Sequence, residues 1–143
     1  MPAIVHCGHG PRRGAHTGLD VFGEVLAAHR RLPVVLAHAG MPDFGGALDL
    51  VHGYERVYLD TTMVGVPFST SYAPLPDDWA ARLVAVADRV VLGTDFPNIP
   101  YAYAEQLRAI AGWAAADDRL GDPFLRSVLH DAPARLLGVA APG

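Results

Sequence analysis

The sequence predicts an α/β fold built on a parallel sheet, and three observations carry the prediction. Four short apolar runs, rich in β-branched residues, stand at residues 3–5, 34–37, 57–59 and 90–92. They are near-continuous instead of alternating, which is how strands covered on both faces read. Segments of helical period separate them, and strand–helix alternation means βα units with parallel strands. Each run also closes on polar, chemically capable residues: His6, then His38, then Asp60-Thr61-Thr62, then Thr94-Asp95.

The strands start near residues 3, 34, 57 and 90, so successive starts lie 31, 23 and 33 residues apart, with room for a helix in each interval. Leu19, Phe22 and Leu26 fall at helical spacing behind Thr17, and Thr17 with Asp20 has the spacing of a capping box. Leu48 and Val51 mark a shorter helix ending at Gly53. Asp77 stands where it would cap a helix carrying Trp79, Leu83 and Val86. Tyr103, Leu107, Ile110 and Ala114 trace the helix that follows the fourth strand. Asp122-Pro123 opens another in the N-cap, N1 arrangement, where proline's missing N–H costs nothing. Pro133 is expected to interrupt that helix, leaving a terminal turn around Arg135, Leu136 and Leu137 that stops at Gly138.

Composition bounds the function. The chain has 143 residues, 51% hydrophobic and 18% charged, with a net charge of −4 and a pI near 5.9. That reads as one domain, residues 1–143, with enough chain for a core and too much apolar content for disorder. Every basic residue is Arg, and no window clusters enough of them to track a phosphate backbone, so nucleic acid is not an expected partner. No apolar run approaches a membrane span, so no membrane partner is expected either. The N-terminus lacks the basic-then-apolar order of a signal peptide, and Cys7 is the only cysteine, so a cytoplasmic location is expected.

In parallel α/β sheets, ligands and catalytic groups gather at the carboxyl ends of the strands, where loops and helix N-termini converge. One histidine at a strand end is ordinarily structural. Four successive strands delivering His, His, Asp/Thr and Asp to one edge point instead to chemistry. Histidine is the commonest metal ligand, and His with Asp suits Zn²⁺ or a similar divalent ion. A carboxylate beside such an ion can take a proton from water. Arg12 and Arg13, in the loop after the first strand, have the fork geometry for a substrate carboxylate, or form a solvated basic turn. Residues 64–76, with Phe68, Tyr72 and three prolines, form a long loop at the same edge, either a lid or a packed cover. His9 and His16 lie in the loop after His6, while His29, His52 and His130 fall on helices away from the strand ends. Cys7 points to the face opposite His6, the position of a small buried hydrophobe.

The segments Ile4-Val5-His6-Cys7-Gly8, Val35-Leu36-Ala37-His38-Ala39-Gly40 and Leu92-Gly93-Thr94-Asp95-Phe96-Pro97 resemble the later strands of the amidohydrolase-related metal-dependent hydrolases. Ala134-Arg135-Leu136-Leu137-Gly138 resembles that family's closing helix. The likeness runs across nearly the whole chain in the family's order, with Gly-Thr-Asp-Phe-Pro its most specific part. It implies a (β/α)8 TIM barrel, of which this chain holds about four parallel βα units, strands 5–8, plus the C-terminal helix. It implies His6 as the fifth-strand metal ligand and His38 as a sixth-strand histidine that binds metal or positions substrate and water. Residues 57–62 become the seventh strand, and Asp95 the eighth-strand metal ligand and general base. The implied cofactor is a divalent metal, zinc in the first instance, on His6, His38 and Asp95, with Asp95 and His38 catalytic. Arg12 and Phe96, the residue after Asp95, are the substrate-binding candidates.

The function so implied is metal-dependent hydrolysis of a small-molecule carboxylic derivative, with Asp95 as general base. The family also includes non-oxidative decarboxylases of aromatic or unsaturated acids, and the motif does not separate the two reactions. The chain departs from the family's pattern in lacking a His-x-His pair, and Ala132 stands where an asparagine is common before the closing helix. A whole barrel takes about 250 residues, so the expectation is an incomplete barrel. It would leave its inner face and both edge strands exposed and would need a missing N-terminal half or a homodimer. The competing expectation is a catalytically silent half-barrel. A doubly wound binding domain is weaker still, because no glycine-rich phosphate loop follows any strand.

Overall fold

The computed structural model describes residues 1–8 and 14–139. Four strands lie side by side in chain order: β1 (Ala3–Val5), β2 (Val34–Leu36), β3 (Val57–Asp60) and β4 (Val90–Val91). Each is parallel to its neighbour, with Ile4 in register with Val35, Val35 with Tyr58, and Asp60 with Val91. Helix α1 (Leu19–Ala28) follows β1, and α2 (Phe44–Gly53) follows β2. The short α3 (Pro67–Thr70) and α4 (Trp79–Leu83) follow β3. After β4 come α5 (Tyr103–Ala116), α6 (Gly121–Arg126) and α7 (Ala132–Leu137). The parallel α/β order expected from the apolar runs is the order observed.

Side chains alternate across a strand, so the sheet has two chemically separate faces. On one, Val34, Leu36, Val57, Leu59 and Val90 join Leu26, Phe44, Leu48, Leu83, Ile110 and Phe124 in the main core. Edge-to-face aromatic pairs tie that layer together, Phe44 to Trp79 at 5.4 Å and Trp79 to Trp113 at 5.7 Å between ring centroids. Each is worth about 0.5–1.5 kcal/mol beyond its buried area. On the other face, Val35, Tyr58 and Val91 pack with Ala132 and Leu136 of α7. This corrects the expectation of a bare inner face: α7 folds over it, and those three strand residues are only 4–7% exposed. The cover stops short of β1, where Ile4 is 74% exposed. Burial on both faces therefore holds for β2 to β4 and fails for β1.

Several local expectations need correcting for physical reasons. The Thr17–Asp20 capping box does not form, because the Thr17 hydroxyl turns back to Gly14, donating to its carbonyl at 3.2 Å and accepting its N–H at 3.1 Å. Gly18 caps α1 without a side-chain bond. Helix α2 begins earlier than its apolar spacing shows, because the Asp43 carboxylate accepts the Gly46 N–H at 2.9 Å. The residue before α4 is Asp78, not Asp77, and a tight turn at Val84–Arg89 carries the chain on into β4. Pro133 does not break the helical path. A wide π turn at Ser127–Asp131 joins α6 to α7, so Pro133 falls in the first turn of α7, where an N–H is not needed. Gly138 ends α7 at φ 68°, as expected. The 64–76 loop is a packed cover, with Val64, Val66 and Ser69 wholly buried and Ala73 2% exposed, while Phe68 and Tyr72 face outward. No helix among the described residues is long and apolar enough to cross a membrane.

Candidate functional site

The carboxyl edge of the sheet gathers the residues that the strand ends predict. His6 follows β1 directly, and its ring meets that of His38 edge-on, with centroids 5.1 Å apart at 71°. His38 lies in the turn Ala37–Gly40 just beyond β2, with φ 54° and ψ 28°. Asp60 ends β3, and Asp95 follows β4 at φ 49°. The other non-glycine residues with positive φ, among those described, are Ala39 and Met63, at this same edge. Such conformations cost about 1–3 kcal/mol each and persist where the surroundings over-determine them.

His38 is held on three sides. Its Nδ1 lies 3.2 Å from the Thr62 carbonyl, which can only accept, so Nδ1 is the donor in this bond. Nε2 in turn faces Asp95 Oδ2 at 3.9 Å. The His38 backbone N–H donates to Asp60 Oδ1 at 3.4 Å, and the same oxygen accepts the Thr62 N–H at 2.6 Å. Asp60 thereby fastens the end of β2 to the end of β3. Next to it, the Thr61 hydroxyl accepts the Gly93 N–H at 3.2 Å, which fastens β3 to β4. The Thr62 hydroxyl is buried and has no hydrogen-bond partner among the described residues.

Behind this edge stands a second polar chain. The Met63 N–H donates to Tyr101 Oη at 3.0 Å, Tyr101 donates to Gln106 Oε1 at 3.2 Å, and Gln106 Nε2 donates to the Val64 carbonyl at 3.3 Å. Burial pushes the Tyr101 phenol above its ordinary value; the bond from Met63 N–H opposes this, and the charges of Asp95, Asp60 and Glu105 add to the rise. Tyr101 therefore keeps the proton it gives to Gln106, which is itself fully buried. Sequence reasoning assigned no role to Tyr101 or Gln106 and left Asp60 as one of several strand-end residues. Only Asp60 carried a visible signal, its position at the close of an apolar run.

Of the candidate metal ligands, His6 sits against His38 and His38 opposes Asp95. Among the described residues, no three His, Cys, Asp or Glu side chains converge into a set able to grip an ion. Two ligands on one zinc stand about 3.4 Å apart, given bonds of about 2.1 Å in a tetrahedron, so the 3.9 Å between His38 and Asp95 is about half an ångström longer than for a shared ion. The Nδ1–H bond to a backbone carbonyl is also the arrangement that orients a metal-binding imidazole. The donors thus fit a divalent metal as part of a ligand set. Phe96 is 69% exposed beside Asp95. Arg12, Arg13 and His9 lie outside the described residues. Cys7 is 4% exposed in the main core, and burial raises its thiol pKa, which suits the small-hydrophobe reading. His29 is exposed just past the end of α1 and His52 is exposed on α2, while His130 bonds Asp131 at 2.6 Å.

Consecutive parallel βα units with histidines and aspartates at the carboxyl edge define an α/β protein with a parallel four-stranded sheet. The sequence matches the amidohydrolase family over residues 1–139, and the chain belongs to that family. Among solved structures, it is similar to an uncharacterised TIM-barrel protein from Bordetella bronchiseptica, with a TM-score of 0.66 and 19% identity over 96% of this chain and 46% of that one. It is also similar to an amidohydrolase from Burkholderia multivorans with bound HEPES, with a TM-score of 0.62 and 17% identity over 85% of this chain and 50% of that one. A zinc-bound form of an amidohydrolase from the same organism gives 0.58 and 19% over 85% and 49%. The chain spans about half the length of these structures. No curated protein matches the sequence.

Proposed function

We infer that the chain forms strands five to eight of an amidohydrolase-type barrel, and that the assembled barrel hydrolyses a small carboxylic derivative. The observation that carries this reading is the posture of His38: Nδ1–H committed to the Thr62 carbonyl, Nε2 turned toward Asp95. His38 and Asp95, with His6 beside them, would contribute donors to a divalent ion whose set is completed from outside this chain, and zinc comes first because a similar amidohydrolase has it bound. When bound, such an ion supplies positive charge that polarises a carbonyl oxygen and lowers the pKa of water. Asp95 takes the proton of the attacking water as general base; its side chain is 53% exposed and so within reach of solvent. Phe96 packs against the substrate, and Arg12 pairs with its carboxylate. The remaining ligands come from the other half of the barrel, supplied by an N-terminal half or by a second copy of this chain.

The test uses the full chain exposed to zinc, with bound metal quantified and turnover assayed on lactones, amides, and aromatic or unsaturated acids. Release of carbon dioxide from the acids distinguishes decarboxylation from hydrolysis. Asp95→Asn should cut turnover by about a hundredfold or more while leaving the circular dichroism spectrum intact. Undiminished turnover in that variant overturns the role of Asp95. Failure to retain zinc at any ratio overturns the metal reading and leaves a silent half-barrel.

A further inference from the structure

We propose that Tyr101 is a positioning residue for His38, acting through the single peptide group between Thr62 and Met63. The carbonyl of that peptide accepts the His38 Nδ1–H at 3.2 Å, and its N–H donates to Tyr101 Oη at 3.0 Å. The two side chains therefore hold opposite ends of one rigid plane, since a peptide unit cannot twist about its C–N bond. Two consequences follow. Donation of the N–H to the phenol polarises the peptide and strengthens its carbonyl as an acceptor, by about 10–30% for a bond in a chain of this kind. It also fixes the plane, and Met63 lies at φ 63°, a conformation that a non-glycine residue abandons unless it is held. Gln106 holds the far side, accepting from the phenol and donating to the Val64 carbonyl, so the clamp grips the Thr62–Met63 peptide and the Val64–Gly65 peptide beyond it. What the clamp delivers is an orientation and a preferred donor: His38 giving its Nδ1–H to Thr62, with Nε2 toward Asp95. The inference rests on His38 being the working histidine of the proposed function.

The experiment reads the His38 ring directly. Long-range ¹H–¹⁵N spectra of the metal-free full chain, taken about two units above the ordinary imidazole range, distinguish a protonated Nδ1 from a protonated Nε2. The wild-type chain should show a predominantly Nδ1-protonated ring. Tyr101→Phe keeps the ring shape and removes the oxygen. It should lower the Nδ1–H to Nε2–H ratio by about threefold or more, the scale of part of one hydrogen bond, and should speed exchange of the Met63 amide. If that variant does not fold, 3-fluorotyrosine at position 101 weakens the acceptor without changing the shape and should shift the ratio in the same direction. A folded variant with the wild-type ring pattern overturns the proposal, even if its melting temperature falls. Because neither metal nor substrate enters the measurement, loss of the proposed hydrolysis and loss of this positioning role register separately.

Discussion

Asp60 occupies the space that a side chain at Gly93 would need: a β-carbon there would stand 1.8 Å from Asp60 Oδ2 and 2.3 Å from its Cγ. The glycine of the Gly-Thr-Asp-Phe-Pro segment is thus a spatial requirement of the neighbouring strand's carboxylate. Gly93→Ala must displace Asp60 or β4, and displacing Asp60 strips the acceptor from the backbone N–H groups of His38 and Thr62. The expected loss is about 2 kcal/mol or more, the cost of leaving buried donors unpaired. It is read as a lower urea midpoint at unchanged slope. A midpoint equal to wild type would mean that Asp60 does not sit against Gly93.

Much of this edge was legible in the sequence because strand ends carry their own signal. A β-branched run that stops at His38 or Asp95 fixes both where the strand ends and which face of the fold the next residue reaches. The Tyr101–Gln106 clamp has no such signal. Its partners are the backbone groups of Met63 and Val64, 38 and 42 residues away, and a peptide N–H leaves no mark in residue identity. The cover of the second face by α7 was hidden for a similar reason. Ala132 and Leu136 fit any short helix, and only the π turn at Ser127–Asp131 carries that helix onto Val35, Tyr58 and Val91. Thr17 shows the remaining kind of miss, since its hydroxyl had two local acceptor arrangements and spacing alone favours the one not used.

Ile4 and Val35 are in register on adjacent strands, yet one is 74% exposed and the other 4%. Ile4→Thr should leave the stability of the dilute chain within about 0.5 kcal/mol of wild type. Val35→Thr should cost about 1–3 kcal/mol, because its hydroxyl would be buried among Tyr58, Val91 and Ala132 without a partner. Equal losses in urea unfolding would mean that Ile4 is covered in solution, as it would be by another half-barrel.

Asp117 provides a pH-dependent local contact. Its carboxyl pKa is lowered to about 2 by the side-chain hydrogen bonds from Arg119 and then by the Arg119 backbone N–H. The folded value lies below the ordinary one, so the contribution of this contact is fully present above the ordinary carboxylate pKa of 3.8 and is lost as pH falls toward 2. Arg119 is exposed, and ion pairs open to solvent add little stability, so the titration midpoint is the informative quantity. Arg119→Ala keeps the backbone donor and should move the ¹³C-detected midpoint of Asp117 part of the way back up. A wild-type carboxyl titrating at its ordinary value would show that the pair does not form in solution.

Thr61 and Thr62 are adjacent and almost equally buried, at 2% and 1% exposed, yet the same substitution should act on them with opposite sign. The Thr61 hydroxyl accepts the Gly93 N–H, so Thr61→Val leaves that donor unpaired and should cost about 1–3 kcal/mol. The Thr62 hydroxyl has no partner among the described residues, so Thr62→Val removes a buried polar atom at little change in shape. It should stabilise the chain by up to about 1 kcal/mol, since the desolvation of an unmatched hydroxyl is no longer borne. Thermal and urea unfolding of the two variants side by side decide the matter. If Thr62→Val destabilises as much as Thr61→Val, the Thr62 hydroxyl has a hydrogen-bond partner in solution beside the candidate site.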